Sequence, residues 1–163
     1  MTKFVREVTA MMNILGIRKA VRFIGLNFWR PLTLDEIADE SGMSKYHFAR
    51  TFKAVTGKTF KEYLTEKRVE KAKTLLADGE MTITEICYSV GFNDLSYFDR
   101  VFRKLVGINP LAYHNRYSQY RTGPVTNITL LSNPNDHVYT AESSIRSSHI
   151  SSWIKQNIHN NEQ

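Results

Sequence analysis

The stretch TFKEYLTEKRVEKAKTLLAD, residues 59–78, decides the fold that this sequence predicts. Its apolar residues recur at steps of three and four, as on one face of an amphipathic helix, and charged residues fill the other face. No Gly or Pro interrupts it. About 19 helical residues at ~1.5 Å each would form a rod of roughly 28 Å. The apolar positions are Phe60, Tyr63, Leu64, Val69, Ala72, Leu75 and Leu76.

The sequences on either side of this helix repeat one design. Residues 32–64 read LTLDEIADESGMSKYHFARTFKAVTGKTFKEYL, and residues 81–114 read MTITEICYSVGFNDLSYFDRVFRKLVGINPLAYH. The offset between equivalent residues is 49, and it becomes 50 after one residue is inserted in the turn. The matched pairs are Thr33 and Thr82, Glu36 and Glu85, Ile37 and Ile86, Gly42 and Gly91, Phe48 and Phe98, Arg50 and Arg100, Phe52 and Phe102, Gly57 and Gly107, and Tyr63 and Tyr113.

Each copy has the sequence features of a helix-turn-helix. In the first copy, Thr33 and Glu36 form a predicted capping box that starts a short helix, which ends before Gly42. Ser44 is the predicted N-cap of a longer helix that runs to Gly57, and Asp94 takes the same place in the second copy. The predicted fold is therefore all-α, with two helix-turn-helix subdomains joined by a long linker helix.

The predicted domain organisation follows from this repeat. A two-module domain occupies residues 17–120, made of a first subdomain, the linker helix and a second subdomain. A short N-terminal extension precedes it, and a polar tail rich in Ser and Asn, expected to be mobile, follows it. The N-terminal extension is residues 1–16, the first subdomain 17–58, the linker helix 59–78, the second subdomain 79–120 and the tail 121–163.

Composition excludes several classes of protein. No apolar run approaches the ~20 residues that span a bilayer, and the N-terminus lacks the features of a signal peptide. Cys87 is the single cysteine, the histidines have no metal-ligand spacing, and no phosphate loop or nucleophile elbow occurs. We therefore expect a cytoplasmic protein without metal, cofactor or catalytic residues.

The positive charge is concentrated in the repeat region. The chain carries a net charge of +6, and residues 17–121 hold 18 Lys and Arg against 12 Asp and Glu. A basic region with acidic residues interspersed is typical of a face that binds a polyanion.

The second helix of each copy has the pattern of a major-groove reader. One stripe is predicted to be buried: Phe48, Phe52 and Val55 in the first copy, and Phe98, Phe102 and Leu105 in the second. The opposite face carries arginine, which can donate two hydrogen bonds to guanine. Asp99 would repel phosphates, but it could accept from cytosine or orient Arg100. The predicted DNA-binding residues are Ser44, Lys45, Tyr46, Ala49, Arg50 and Lys53 in the first helix, and Asp94, Leu95, Ser96, Tyr97, Arg100 and Arg103 in the second.

With these motifs, residues from about 17 to 117 resemble the DNA-binding domain of the AraC/XylS family of transcriptional regulators, in the stand-alone form of its small members. The resemblance implies a monomer that places both helix-turn-helices in successive major grooves of one asymmetric double-stranded DNA site, in the bacterial nucleoid. It implies activation or repression of transcription, activation being our expectation, with RNA polymerase as a partner. It also implies base-reading positions at Tyr46, Ala49, Arg50, Leu95, Ser96, Tyr97 and Arg100.

The sequence departs from this family at two points. The family commonly has an arginine directly after the aromatic residue of its closing motif, whereas here Tyr113 is followed by His114 and Arg116 comes later. The sixteen residues before the domain are too few for an effector-binding domain. We therefore expect control by the abundance of the protein or by a signal from a partner.

Two alternative functions are compatible with the same sequence. The protein could be an interaction module or anti-regulator that does not bind specific DNA, and a steep salt dependence of DNA binding would argue against that. It could instead be an enzyme that uses Cys87 as a methyl acceptor or redox switch. Since Cys87 matches Ala38 in the first copy, where two helices cross, a role in the core is favoured.

Overall fold

The computed structural model describes residues 3–118, and these form seven α-helices and no strand. The all-α class and the two helix-turn-helix pairs, α2–α3 and α5–α6, are thus confirmed. The predicted tail at 121–163 lies outside the described residues. The helices are α1 (Lys3–Asn27), α2 (Leu34–Glu40), α3 (Lys45–Thr56), α4 (Phe60–Asp78), α5 (Ile83–Ser89), α6 (Leu95–Val106) and α7 (Pro110–Tyr117).

The described chain divides into two compact units, and the division falls inside α4. The first unit contains residues 3–27 and Leu32–Tyr63, and the second contains Phe28–Pro31 and residues 64–118. Two features differ from the sequence-based interpretation. Residues 28–31, which the sequence assigns to the first subdomain, pack in the second unit, and α4 contributes to both cores rather than acting only as a spacer.

Helix α1 is longer than the sequence predicts. Apolar residues recur at helical spacing from Ile17 to Phe28 and predict a helix that starts at Ile17, but the helix begins at Lys3 and runs without a break through the predicted extension. Only its second half contains buried residues, and within the first unit α1 packs on α2 and α3. The buried apolar residues of α1 are Ile17, Ala20, Val21 and Ile24.

Side-chain caps start most of the helices. The Thr33 hydroxyl accepts from the Glu36 amide at 3.2 Å, as predicted for α2. In the second copy the cap is reciprocal, because the Glu85 carboxylate also accepts from the Thr82 amide at 2.8 Å. Ser44 occupies the predicted N-cap position of α3 with an extended backbone, but its side chain makes no capping hydrogen bond. The start of α3 is therefore set by backbone bonds, such as that from the Phe48 amide to the Ser44 carbonyl at 2.8 Å.

The two units have the same aromatic arrangement in their cores. In the first, Phe52 lies 5.2 Å from Phe48 and 5.4 Å from Tyr63, measured between ring centroids. In the second, Phe102 lies 5.6 Å from both Phe98 and Tyr113. All four phenylalanines are fully buried. The repeat in the sequence is thus also a repeat in packing.

The predicted burial of Leu105 is wrong. Val55, its counterpart in α3, is 1% exposed, whereas Leu105 is 44% exposed. The helices that complete the two cores differ: α3 packs against α1 and α2, while α6 packs against α5 and the eight-residue α7. On α6, Val101 and Val106 lie partly buried against the core instead.

His114 connects α7 to the end of α4. Its Nδ1 atom donates a hydrogen bond to the Leu76 carbonyl at 3.1 Å. That carbonyl lies in the last turn of α4, where backbone oxygens have no partner within the helix. The residue that stands in the place of the family's usual arginine therefore has a packing role in this unit.

Gly91 is needed for the turn of the second helix-turn-helix. Its φ angle is +95°, and a Cβ atom there would lie 2.7 Å from the Trp29 carbonyl oxygen and 2.9 Å from that of Phe28. Gly42, the equivalent glycine of the first copy, also has a positive φ of +69° but open space around it. Both glycines therefore have a positive φ angle, but only Gly91 lies so close to the backbone of another segment that a Cβ atom would overlap with it.

We expect Gly91→Ala to destabilise its unit by about 1–3 kcal/mol more than Gly42→Ala destabilises the first, because only the former forces an overpacked contact with backbone atoms. Chemical denaturation of both variants measures the difference. Equal losses would show that the close approach to residues 28 and 29 costs nothing.

Candidate nucleic-acid interface

Helix α3 separates its buried and exposed faces sharply. Phe48, Phe52 and Val55 are at most 1% exposed. Tyr46 is 88% exposed, on the opposite side of the helix. All six predicted DNA-binding residues of this helix are exposed: Ser44, Lys45, Tyr46, Ala49, Arg50 and Lys53.

The cations of α3 differ in their surroundings. The Lys45 ammonium lies 2.8 Å from the Asp35 carboxylate, in the first turn of α2, and this hydrogen bond and charge raise the pKa of Lys45. Arg50 and Lys53 form no ion pair within the described residues. Because a phosphate would have to compete with Asp35 for Lys45, Arg50 and Lys53 are the more available cations.

His47 of α3 forms a hydrogen bond with a residue of α1. Its Nε2 atom donates to the Asn13 side-chain oxygen at 2.9 Å. Its position in the first turn of the helix predicts a residue that packs or lies beside a phosphate, and the ring is partly buried. Asn13 was not identified from the sequence, because it lies 34 residues away and has no local signal.

Helix α6 begins at a side-chain cap, and its exposed residues include apolar and aromatic side chains as well as cations. The Asp94 carboxylate accepts from the Tyr97 amide, so this predicted contact residue acts first as the N-cap. Leu95 is 38% and Tyr97 44% exposed. Ser96, Arg100 and Arg103 are also exposed. The predicted second-helix residues are thus all exposed, and they extend along α6 from its N-cap, Asp94, to Arg103 in its last turn.

An open depression lies on this face, lined by Leu95, Ser96, Asp99 and Arg100. Asp99 forms no ion pair with Arg100, so the orienting role suggested for Asp99 is not seen in the free protein. Arg100 and Arg103 likewise have no ion pair within the part of the chain that the structure describes. Within residues 3–118, therefore, no carboxylate competes with an external acceptor for their donors.

No group of three or more His, Cys, Asp or Glu side chains within residues 3–118 could hold a metal ion. Cys87 is fully buried in the core of the second unit, and burial raises the pKa of its thiol.

None of the helices between residues 3 and 118 has the length and hydrophobicity needed to cross a membrane.

Comparison with known proteins identifies the family. A family model described as a helix-turn-helix domain matches residues 37–116. The regulatory protein SoxS of Salmonella typhimurium is 32% identical over 100 residues, which cover 61% of this chain and 94% of SoxS. The chain therefore belongs to the AraC-type helix-turn-helix family of transcriptional regulators.

Two further similarities bear on function. The DNA-binding domain of AdpA, solved in complex with a target DNA, is 25% identical with a TM-score of 0.61, covering 66% of this chain and 97% of that one. The bifunctional transcriptional activator and DNA repair enzyme AdaA of Bacillus subtilis is 37% identical over 91 residues, 56% of this chain and 43% of AdaA. The chain spans 30% to 63% of the length of three other curated relatives.

Proposed function

We propose that this protein is a sequence-specific regulator of transcription that binds double-stranded DNA as a monomer, with α3 and α6 in successive major grooves of one asymmetric site. Tyr46, Ala49 and Arg50 read one half-site, and Leu95, Ser96, Tyr97 and Arg100 read the other. Lys53 and Arg103 neutralise phosphates. The two-module domain of residues 17–120 is the whole of the proposed DNA-binding region.

The observation that carries this proposal is that Arg50 and Arg100 have the same position and exposure on their two helices and the same lack of an ion pair within residues 3–118. They occupy equivalent positions on two helices, both are exposed, and neither is paired with a described residue. Arginine in this setting can donate two parallel hydrogen bonds to guanine O6 and N7. Their neighbours differ, since Ala49 in α3 corresponds to Asp99 in α6. The two helices should therefore prefer different bases.

The same proposal extends to the cellular role. The relatives SoxS and AdaA are a regulatory protein and a transcriptional activator by name, and AdpA was solved on a target DNA. We infer that this protein acts in the bacterial nucleoid, where it activates transcription with RNA polymerase as its protein partner. An interaction module without specific DNA binding fits less well with two exposed arginines that form no ion pair within residues 3–118.

A catalytic role for Cys87 is the less favoured alternative, even though AdaA is bifunctional. A methyl acceptor must present a thiolate to its substrate, whereas the Cys87 side chain has no exposed surface. Because burial raises its pKa, the thiol stays neutral over a wider pH range and is a poorer nucleophile.

Arg50→Ala should weaken binding to a specific duplex by about 1–3 kcal/mol and relax the preference at one base pair, because a bidentate base contact is lost. Lys53→Ala should instead weaken binding to all sequences and lower the slope of log K against log salt by about 1, because one phosphate contact is lost. The duplex is obtained by in vitro selection with the wild-type protein, and affinities are measured at several salt concentrations.

Arg100→Ala is the matched variant for the second half-site, and it should relax preference at a different base pair from Arg50→Ala. If Arg50→Ala and Lys53→Ala weaken selected and random duplexes by the same factor, the assignment of Arg50 to base reading is wrong. A wild-type protein that selects no sequence from the pool would contradict the proposed function itself.

A further inference from the structure

Arg68 of α4 is bound to a segment forty residues earlier in the chain. Its Nε atom donates to the Phe28 carbonyl at 2.8 Å, and one Nη atom donates to the Arg30 carbonyl at 3.1 Å. One planar guanidinium thus holds both ends of the Phe28–Arg30 peptide. All three residues belong to the second unit.

The segment held by Arg68 lies directly against the turn of the second helix-turn-helix. The Phe28 and Trp29 carbonyl oxygens are the atoms that a Cβ at Gly91 would meet, at 2.9 and 2.7 Å. Arg68 also contacts the next residue of the turn, since its Cζ atom lies 5.8 Å from the ring centroid of Phe92. Arg68 therefore supports this turn directly, through Phe92, and indirectly, through residues 28–30.

Phe92 transmits this support to the start of α6. It is 5% exposed, and its ring centroid lies 6.0 Å from that of Tyr97 and 5.1 Å from that of Phe98. Burial lowers the pKa of Arg68, and the charge of the ionised Tyr97 phenol acts in the opposite direction.

The first copy is built differently at this point. Gly42 has open space around it, and Met43 occupies the position that corresponds to Phe92 in the second copy. A substitution of Arg68 should therefore change the base preference of α6 and leave that of α3 unchanged.

We propose that Arg68 is a positioning residue that sets the base preference of α6, by holding residues 28–30 and Phe92 against the turn that orients Tyr97. The inference rests on the proposed DNA-binding function and assigns a specificity role to a residue outside the recognition helices. A guanidinium is required because two carbonyls and an aromatic face must be satisfied at once, whereas the single ammonium of lysine cannot match that planar geometry. Recognition groups must be held to within ~0.5 Å, so a small shift of Tyr97 is enough to lose discrimination.

The test compares Arg68→Lys with the wild-type protein by selection from a random duplex pool. Arg68→Lys retains the charge and so the salt slope. The base pair at which Arg100→Ala relaxes the preference marks the α6 half of the site, and the base pair at which Arg50→Ala relaxes it marks the α3 half. Lys71→Arg, at an exposed position on the same helix, is the control for a basic substitution in α4.

We expect Arg68→Lys to bind the wild-type site roughly fivefold to tenfold more weakly, to lose preference in the α6 half and to keep the α3 half. Phe92→Leu, which removes the ring but keeps an apolar side chain, should give the same pattern. In the free protein, the aromatic NMR signals of Tyr97 should shift in Arg68→Lys while those of Tyr46 stay in place. Lys71→Arg should behave as the wild type in each measurement.

Three results would overturn the inference. Arg68→Lys could retain the wild-type preference in the α6 half, it could lose both halves equally, or it could leave the Tyr97 signals unchanged. All three leave the proposed function intact, since the wild-type protein would still select a site. Only a wild-type protein without sequence preference would remove the proposed function and this inference together.

Discussion

Replacing Phe52 or Phe102 with alanine is expected to lower the free energy of unfolding of its unit by about 3–5 kcal/mol. Each ring is fully buried between two other aromatic rings, so its removal loses apolar burial and leaves a cavity that fixed helices cannot fill. The two variants should be similarly costly because the contacts of Phe52 to Phe48 and Tyr63 recur around Phe102.

Denaturant unfolding followed by circular dichroism measures both losses. Leu105→Ala is the matched control on α6, and it should cost about 1 kcal/mol or less because that side chain is 44% exposed. If Leu105→Ala is as damaging as Phe102→Ala, the exposed position of Leu105 is wrong. Unchanged stability in both phenylalanine variants would refute the assignment of these rings to the two cores.

Inserting five base pairs between the two half-sites should lower affinity to the non-specific level, a loss of roughly a thousandfold or more. Five base pairs are about half a turn of B-DNA, so the insertion moves the second major groove to the opposite face of the duplex. One protein chain would then have to leave one of its two recognition helices unbound. A duplex with the same five base pairs added outside the site is the control, and it should bind normally.

The same duplex tests whether one protomer fills the site. Sedimentation on a selected duplex of ~20 base pairs should give one protein chain per duplex, on a sequence without two-fold symmetry, since α3 and α6 present different side chains. Two chains on a palindromic site would contradict the monomer proposal. Unchanged affinity after the insertion would show that the two helices do not read the DNA together.

The positions of the two helix-turn-helix pairs and of α4 could be predicted from the sequence because their signals are local. Caps such as Thr82 with Glu85, and glycines such as Gly57 and Gly107, mark helix ends through contacts within a few residues. The internal repeat added independent support, since each copy predicts the other. The same repeat was misleading at Leu105, where equivalent positions on α3 and α6 have different packing partners.

The candidate DNA-binding residues could also be placed on exposed faces in advance, because helical periodicity separates Arg50 from Phe48 and Phe52 without knowledge of the tertiary contacts. Periodicity carries no information on which exposed cation is already paired. The ion pair of Lys45 with Asp35 depends on how the turn folds α3 back on α2, so the structure was needed to find it.

By itself, the sequence determined that this chain is helical, that it contains one module twice and that each copy carries an arginine on the exposed face of its second helix. These are properties of spacing, and spacing is visible in a linear sequence. Only the tertiary structure decided that residues 28–31 belong to the second unit, that His114 binds the end of α4 and that Arg68 supports the turn before α6. Each of these depends on contacts between residues about forty positions apart, and such contacts form only when the core brings the helices together.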